Sequence, residues 1–143
     1  MQDKSAKYCG CLYFASNALA RNITRLAEEA YAPTGLAPSH AMLLMAVIDQ
    51  PGINPTEIAE IMLLKPSTVT RLVEKLEQKG LATRQSNGKF TEIYPTEEGN
   101  RLNMKIKSAW MDLYRQYTSL LGEEVGTQLA ALSYKAAKTL DTV

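Results

Sequence analysis

Apolar side chains recur at steps of three or four through the first thirty positions: Tyr8, Leu12, Ala15, Leu19, Ile23, Leu26 and Ala30. That period puts them on one stripe and predicts a helix over residues 5–31. "APTGLAPS" interrupts it with Pro33, Gly35 and Pro38. A second helix is expected from about Ser39 to Gln50. Met42, Leu43, Leu44, Met45, Val47 and Ile48 make it apolar on nearly every side, as in a buried element. "NPTEIAEIML" opens a third helix. Asn54 can cap it, Pro55 suits its first position, and Glu57 stands where a capping box needs it. A fourth begins at Pro66, with Val69, Leu72, Val73 and Leu76 on one face.

The period then shortens to two. "LATRQS" and "KFTEIYP" read as strands, and Asn87-Gly88 between them supplies the turn of a hairpin. Thr96, helped by Glu97 and Glu98, is expected to cap a single helix running to about Leu121. Its stripe is Leu102, Ile106, Trp110, Leu113, Tyr117 and Leu120. Gly122 ends it, and a last helix carries Val125, Leu129, Leu132, Ala136 and Leu140. The fold class expected is mostly α with one two-stranded hairpin.

Composition narrows this little. At 143 residues, with 45% hydrophobic and 22% charged residues, the chain can bury one domain core and is not a disordered segment. Polar residues cut every apolar run well short of the ~18 a membrane span needs. "MQDKSAKYCG" has no basic stretch leading into an apolar one, so a cytoplasmic location is expected, where two cysteines stay reduced.

Charge says more by position than by total. The net charge is +1, yet residues 65–90 hold six basic side chains (Lys65, Arg71, Lys75, Lys79, Arg84, Lys89) against Glu74 and Glu77, a net of +4. The ten basic and thirteen acidic residues elsewhere leave −3. A local basic patch on a near-neutral chain is an electrostatic footprint for nucleic acid.

The first turn of the fourth helix sharpens that reading. Serine and threonine are mediocre helix formers, yet Ser67, Thr68 and Thr70 cluster there beside Arg71. Opposite the apolar face lie Ser67, Arg71, Glu74 and Gln78, flanked by Thr68, Thr70 and Lys75. Short side chains let a helix come close to a partner, and its N-terminus favours phosphate. Arg71 can fork onto a guanine edge or a phosphate. With the third helix before it, this makes a helix-turn-helix whose second helix enters the major groove. Ala59 marks the close crossing, and Ile58, Ile61, Leu64, Val69 and Leu72 supply the shared core. The hairpin is then a wing, placing Arg84, Asn87 and Lys89 beside the duplex. The blander alternative is a three-helix core with a solvated outer helix.

"PTEIAEIMLLKPSTVTRLVEKLEQKGLATRQSNGKFTEIYPTEEG" resembles the winged-helix core of the MarR family of bacterial transcription regulators. The likeness extends over nearly the whole chain. It implies a homodimer on a pseudo-palindromic double-stranded operator. Residues 34–96 would form the DNA-binding core, with helical dimerisation regions at 1–33 and 97–143. By position, Ser67, Thr68, Thr70 and Arg71 match the family's reading residues, and Lys65 and Lys75 match phosphate contacts. Two departures stand out. The D-x-R of many family wings is replaced by "QSNGKF", which leaves Lys89 to hold phosphate. Leu63 occupies a turn position often filled by glycine, so the turn is expected to continue helically up to Pro66.

The resemblance also implies regulation, by a small effector or by oxidation. Some members sense peroxide through a cysteine near the start of the first helix, the neighbourhood of Cys9 and Cys11. A helix N-terminus with Lys4 and Lys7 nearby would favour a thiolate; the alternative is that both cysteines are small buried packing residues. As metal ligands they are poorly placed: residues two apart on a helix point about 200° apart, and His40 is the only further soft ligand. Met42, Met45, Met62, Met104 and Met111 would line an adaptable effector cavity or simply fill the core. No nucleophile-base-acid set is legible, so neither an enzyme nor a cofactor is expected. The competing function is a winged helix that binds only protein, which salt dependence would distinguish.

Overall fold

The computed structural model describes residues 7–141. Helix α1 (Leu12–Tyr31) leads through a short 3₁₀ turn to α2 (Pro38–Asp49), α3 (Pro55–Met62) and α4 (Pro66–Gln78). Strands β1 (Ala82–Asn87) and β2 (Phe90–Pro95) form an antiparallel hairpin, followed by α5 (Glu97–Arg101), α6 (Asn103–Leu121) and α7 (Glu123–Leu140). This is the expected winged helix-turn-helix with long helices on either side.

The core sits where α2, α3, α4 and the hairpin meet. Leu43, Leu44, Val47, Ile53, Ile58, Val69, Val73, Leu76 and Ile93 are fully buried there, joined by Ile106 from α6. Ile53 extends the hairpin by bridging to Ile93: the Ile93 N–H donates to the Ile53 carbonyl at 2.9 Å and the Gly52 N–H donates to the Ile93 carbonyl at 2.8 Å. The hairpin is thereby fastened to the loop before α3.

Several expectations need correcting. The first helix begins at Leu12; the start expected at residue 5 lies outside the described residues, and residues 7–10 form a turn. The helix expected from 96 to 121 is broken at Leu102 into α5 and α6. Gly99 explains the break. It lies so tightly under the Leu81 carbonyl that no Cβ fits, and the chain tightens there with the Leu102 N–H donating to Gly99 at 3.1 Å. The hairpin turn is Gly88-Lys89, not Asn87-Gly88: Asn87 pairs with Phe90, and Gly88 alone takes positive φ, at 63°. That is the II′ pattern, with glycine first.

Nor does the chain continue helically after α3. Leu63 takes the left-handed conformation (φ 53°, ψ 45°), and Leu64 N–H donates to the Ala59 carbonyl at 3.0 Å. This is a Schellman ending built without glycine. Finally, Ile61 does not join the shared core; it is 55% exposed on the outer side of α3. Ile58 and Val69 are buried as expected, with Leu64 and Leu72 partly so.

Candidate nucleic-acid interface

The helices of the winged core start differently: α3 and α5 are capped, whereas α4 is bare, as is α2, whose cap residue Ala37 makes no side-chain bond and whose first turn holds no acid. At α3, the Asn54 side chain accepts from the Glu57 N–H at 2.9 Å and donates to the Glu57 carboxylate at 2.7 Å. At α5, Thr96 Oγ1 accepts from the Gly99 N–H at 3.0 Å, and Glu97 and Glu98 occupy the first turn. Both ends are satisfied and negatively complemented. Helix α4 has neither device. Its cap residue is Lys65, which makes no side-chain cap bond, and its first turn holds no acid. The positive end of α4 is left open to an anion.

Around that end, Lys65, Ser67, Thr70, Arg71 and Lys75 are exposed and Thr68 is half-buried. The Thr70 hydroxyl donates to the Pro66 carbonyl at 3.1 Å, so what it offers outward is a hydrogen-bond acceptor. Among the described residues, Lys65, Arg71, Lys75 and Lys89 have no ion-pair partner. The buried face of the same helix, Val69, Val73 and Leu76, locks this array onto the core.

The wing is less uniform. Arg84 is turned inward, its Nε 2.7 Å from Glu77 Oε1 on α4, a charge contact without hydrogen-bond alignment. On the opposite face, Asn87 Nδ2 donates to Glu92 Oε1 at 3.4 Å and Tyr94 O–H donates to Glu92 Oε2 at 2.6 Å. That hydrogen bond to Glu92, with burial and the carboxylate's charge, raises the Tyr94 pKa. Lys89 is exposed at the tip, next to Phe90, which is 64% exposed. Phe90 was not singled out from the sequence; its strand position in "KFTEIYP" alternates with buried Ile93, which is the signal that it faces out.

The regulatory candidates lie elsewhere. Cys9 is in the turn before α1 and Cys11 is its cap residue; both are exposed in the single chain, so neither is a packing residue of its core. Lys4, invoked beside them, lies outside the described residues. Met42, Met45 and Met62 do line a cleft of about 510 Å³, with Ile61, Leu63, Trp110 and Tyr134. Met104 and Met111 do not; both are exposed on α6. No described helix is long and apolar enough to cross a membrane.

A MarR family model matches residues 34–89, the span from the turn before α2 to the wing tip. The HTH-type transcriptional repressor MdtR of Bacillus subtilis (strain 168) is 30% identical over 117 residues, covering 80% of this chain and 76% of its own. The chain belongs to the MarR family. It is accordingly a winged-helix regulator of transcription that binds DNA. Two solved structures share the fold. CouR from Rhodococcus jostii RHA1, bound to p-coumaroyl-CoA, has 26% identity and a TM-score of 0.75, over 90% of this chain and 92% of its own. CouR bound to a 23-mer DNA duplex superposes at a TM-score of 0.82 with 20% identity, over 96% and 99% of the two chains.

Proposed function

We propose that this MarR-family chain is a cytoplasmic repressor that acts as a homodimer on a pseudo-palindromic operator. The observation that carries the reading is the bare, cation-flanked start of α4, where α3 and α5 are capped. Ser67, Thr68, Thr70 and Arg71 read base edges in the major groove. Lys65 and Lys75 hold phosphate on either side, and Asn87 and Lys89 hold it at the wing. Arg84 joins them when its pair with Glu77 opens. Residues 34–96 are the DNA-binding core.

Residues 1–33 and 97–143 form the dimerisation regions. Residues 12–17 at the start of α1 are all exposed in the single chain, Leu12 at 70%. Val125, Leu132 and Leu140 are exposed along α7. An apolar groove of about 390 Å³ between α1, α6 and α7, lined by Leu19, Ile23, Leu121 and Leu129, continues that surface. So much contiguous apolar surface marks a partner interface.

Release runs through the methionine-lined cleft. Its size falls within the range of small-ligand sites, and CouR binds p-coumaroyl-CoA. Leu63, at the turn into α4, is one of its walls, so an occupant bears directly on the reading helix. Oxidation of Cys9 or Cys11 is the second route, favoured by two thiols exposed at the start of α1.

Selection of bound fragments from the source organism's genomic DNA tests the reading. The expected result is recovery of a shared inverted repeat whose affinity falls steeply as salt rises. A protein-binding module would enrich no fragment at any salt concentration.

A further inference from the structure

The methionine-lined cleft is apolar over most of its walls and negative at one side. Two helices end there. Asp49 is the last residue of α2 and Gln50 its cap, Met62 is the last residue of α3 and Leu63 its cap, and all four are walls of the cleft. A helix C-terminus carries the negative end of its dipole, and neither α2 nor α3 has a basic residue in its last turn to offset it. At α2 the following chain leaves that end open. Pro51 has no N–H to offer the Val47 carbonyl, and the Gly52 N–H donates to Ile93 rather than back to Ile48.

The side chains add to this. Asp49 is the one charged wall, exposed and without an ion-pair partner among the described residues. Gln50 turns its amide nitrogen to the Glu57 carboxylate at 2.9 Å, which leaves its amide oxygen as an acceptor. Trp110 and Tyr134 contribute aromatic rings, each about half-exposed. The Tyr134 ring already draws the Lys138 ammonium to 6.0 Å from its centroid, and Lys138 itself is not a wall of this cleft but of the neighbouring groove. Carboxylate, helix ends and ring faces all favour positive charge. An anion would find no basic wall to meet it.

We infer that the cleft takes a small lipophilic organic cation, an aromatic or alkyl ammonium whose charge is met by Asp49 and the rings of Trp110 and Tyr134 while its apolar body packs on Met42, Met45 and Met62. This rests on the reading of the cleft as the release site and names the chemical class of its occupant. Methionine side chains adapt to differing apolar shapes, so the site selects by charge and leaves shape loose. Leu63 carries the consequence to DNA. It is both a wall of the cleft and the left-handed residue that ends α3 just before α4, so a cation seated against it bears on the start of the reading helix.

Trp110 is the one tryptophan of the chain, so its indole N–H resonance reports occupancy of the cleft without assignment ambiguity. The probes are naphthylmethyl-trimethylammonium and naphthylacetate, which carry the same rings and opposite charges. The full chain is titrated with each, and binding to a genomically selected duplex is measured in parallel. The cation should shift the indole resonance, bind about tenfold more tightly than the anion, and weaken duplex binding. Asp49→Asn, an exposed change, should bring the two probes within about twofold of each other. An anion that binds as well as the cation, or a preference that survives in Asp49→Asn, overturns the cationic class and leaves the cleft as the release site. A cation that binds with the expected preference and leaves duplex affinity unchanged supports the class and overturns release through the cleft. An indole resonance that neither probe moves overturns both.

Discussion

Arg84 of the wing lies 2.7 Å from Glu77 of the reading helix, Nε to Oε1, and the contact fastens β1 to the end of α4. Both side chains remain partly solvated, at 40% and 29% exposure, so the pair is worth at most about 1 kcal/mol. Its greater effect is on charge. One of six basic residues in the DNA-facing segment is neutralised within the chain. Glu77→Gln should cost under about 1 kcal/mol of stability and raise affinity for any duplex several-fold. The salt slope should steepen by about one, the share of one added phosphate contact. Urea unfolding and fluorescence anisotropy at a series of salt concentrations measure both. An unchanged salt slope would show that Arg84 does not reach DNA even when released.

Tyr31 ends α1 with 1% of its surface exposed, and its hydroxyl has no hydrogen-bond partner among the described residues. Burial accordingly raises its pKa. An unsatisfied buried hydroxyl costs roughly 1–3 kcal/mol, and removing it leaves the ring's packing in place. Tyr31→Phe should be neutral or stabilise the fold by about 1 kcal/mol in urea unfolding. Destabilisation would show that the hydroxyl is hydrogen-bonded after all, for instance through a buried water.

The dimer predicts its own disruption. Deleting residues 123–143 removes Val125, Leu132 and Leu140 and should give a monomer in sedimentation at micromolar concentration. Because a truncated chain can fail for other reasons, Val125→Glu with Leu132→Glu in the full chain is the companion test. Both positions are exposed in the single chain, at 51% and 65%, so folding of the protomer should survive. A double variant that sediments as the parent dimer would remove α7 from the interface.

What could be read from the sequence was local. The Asn54 and Thr96 caps join side chains to backbone three residues on, and the buried face of α4 follows from its period, so residue order alone determines both. What could not be read depends on segments distant along the chain. Asn87-Gly88 and Gly88-Lys89 are both admissible turns. The register adopted sets Arg84 opposite Ile93, whose other edge is held by Ile53 from the loop before α3, a contact distant along the chain. Leu63 is left-handed because α4 must start where the Ala59 crossing puts it, a tertiary demand that a leucine meets at some conformational cost. Arg84 looked like a phosphate contact because its partner, Glu77, lies on the other side of a turn. Ile61 looked like core because a helical wheel does not show which of two neighbouring faces is covered. The cysteines were read as helix residues because the apolar stripe runs on through Tyr8, although the helix itself starts at Leu12.

The account stands most directly on Arg71. Its side chain projects from the open first turns of α4, exposed and without an ion-pair partner among the described residues. The decisive measurement compares the parent and Arg71→Ala on a genomically selected fragment and on a scrambled duplex of equal length, at one fixed salt concentration. The account predicts a loss of roughly 1–3 kcal/mol on the selected fragment, a much smaller loss on the scrambled one, and relaxed preference at the base pair Arg71 reads. Equal affinity of Arg71→Ala and parent for the selected fragment would contradict it.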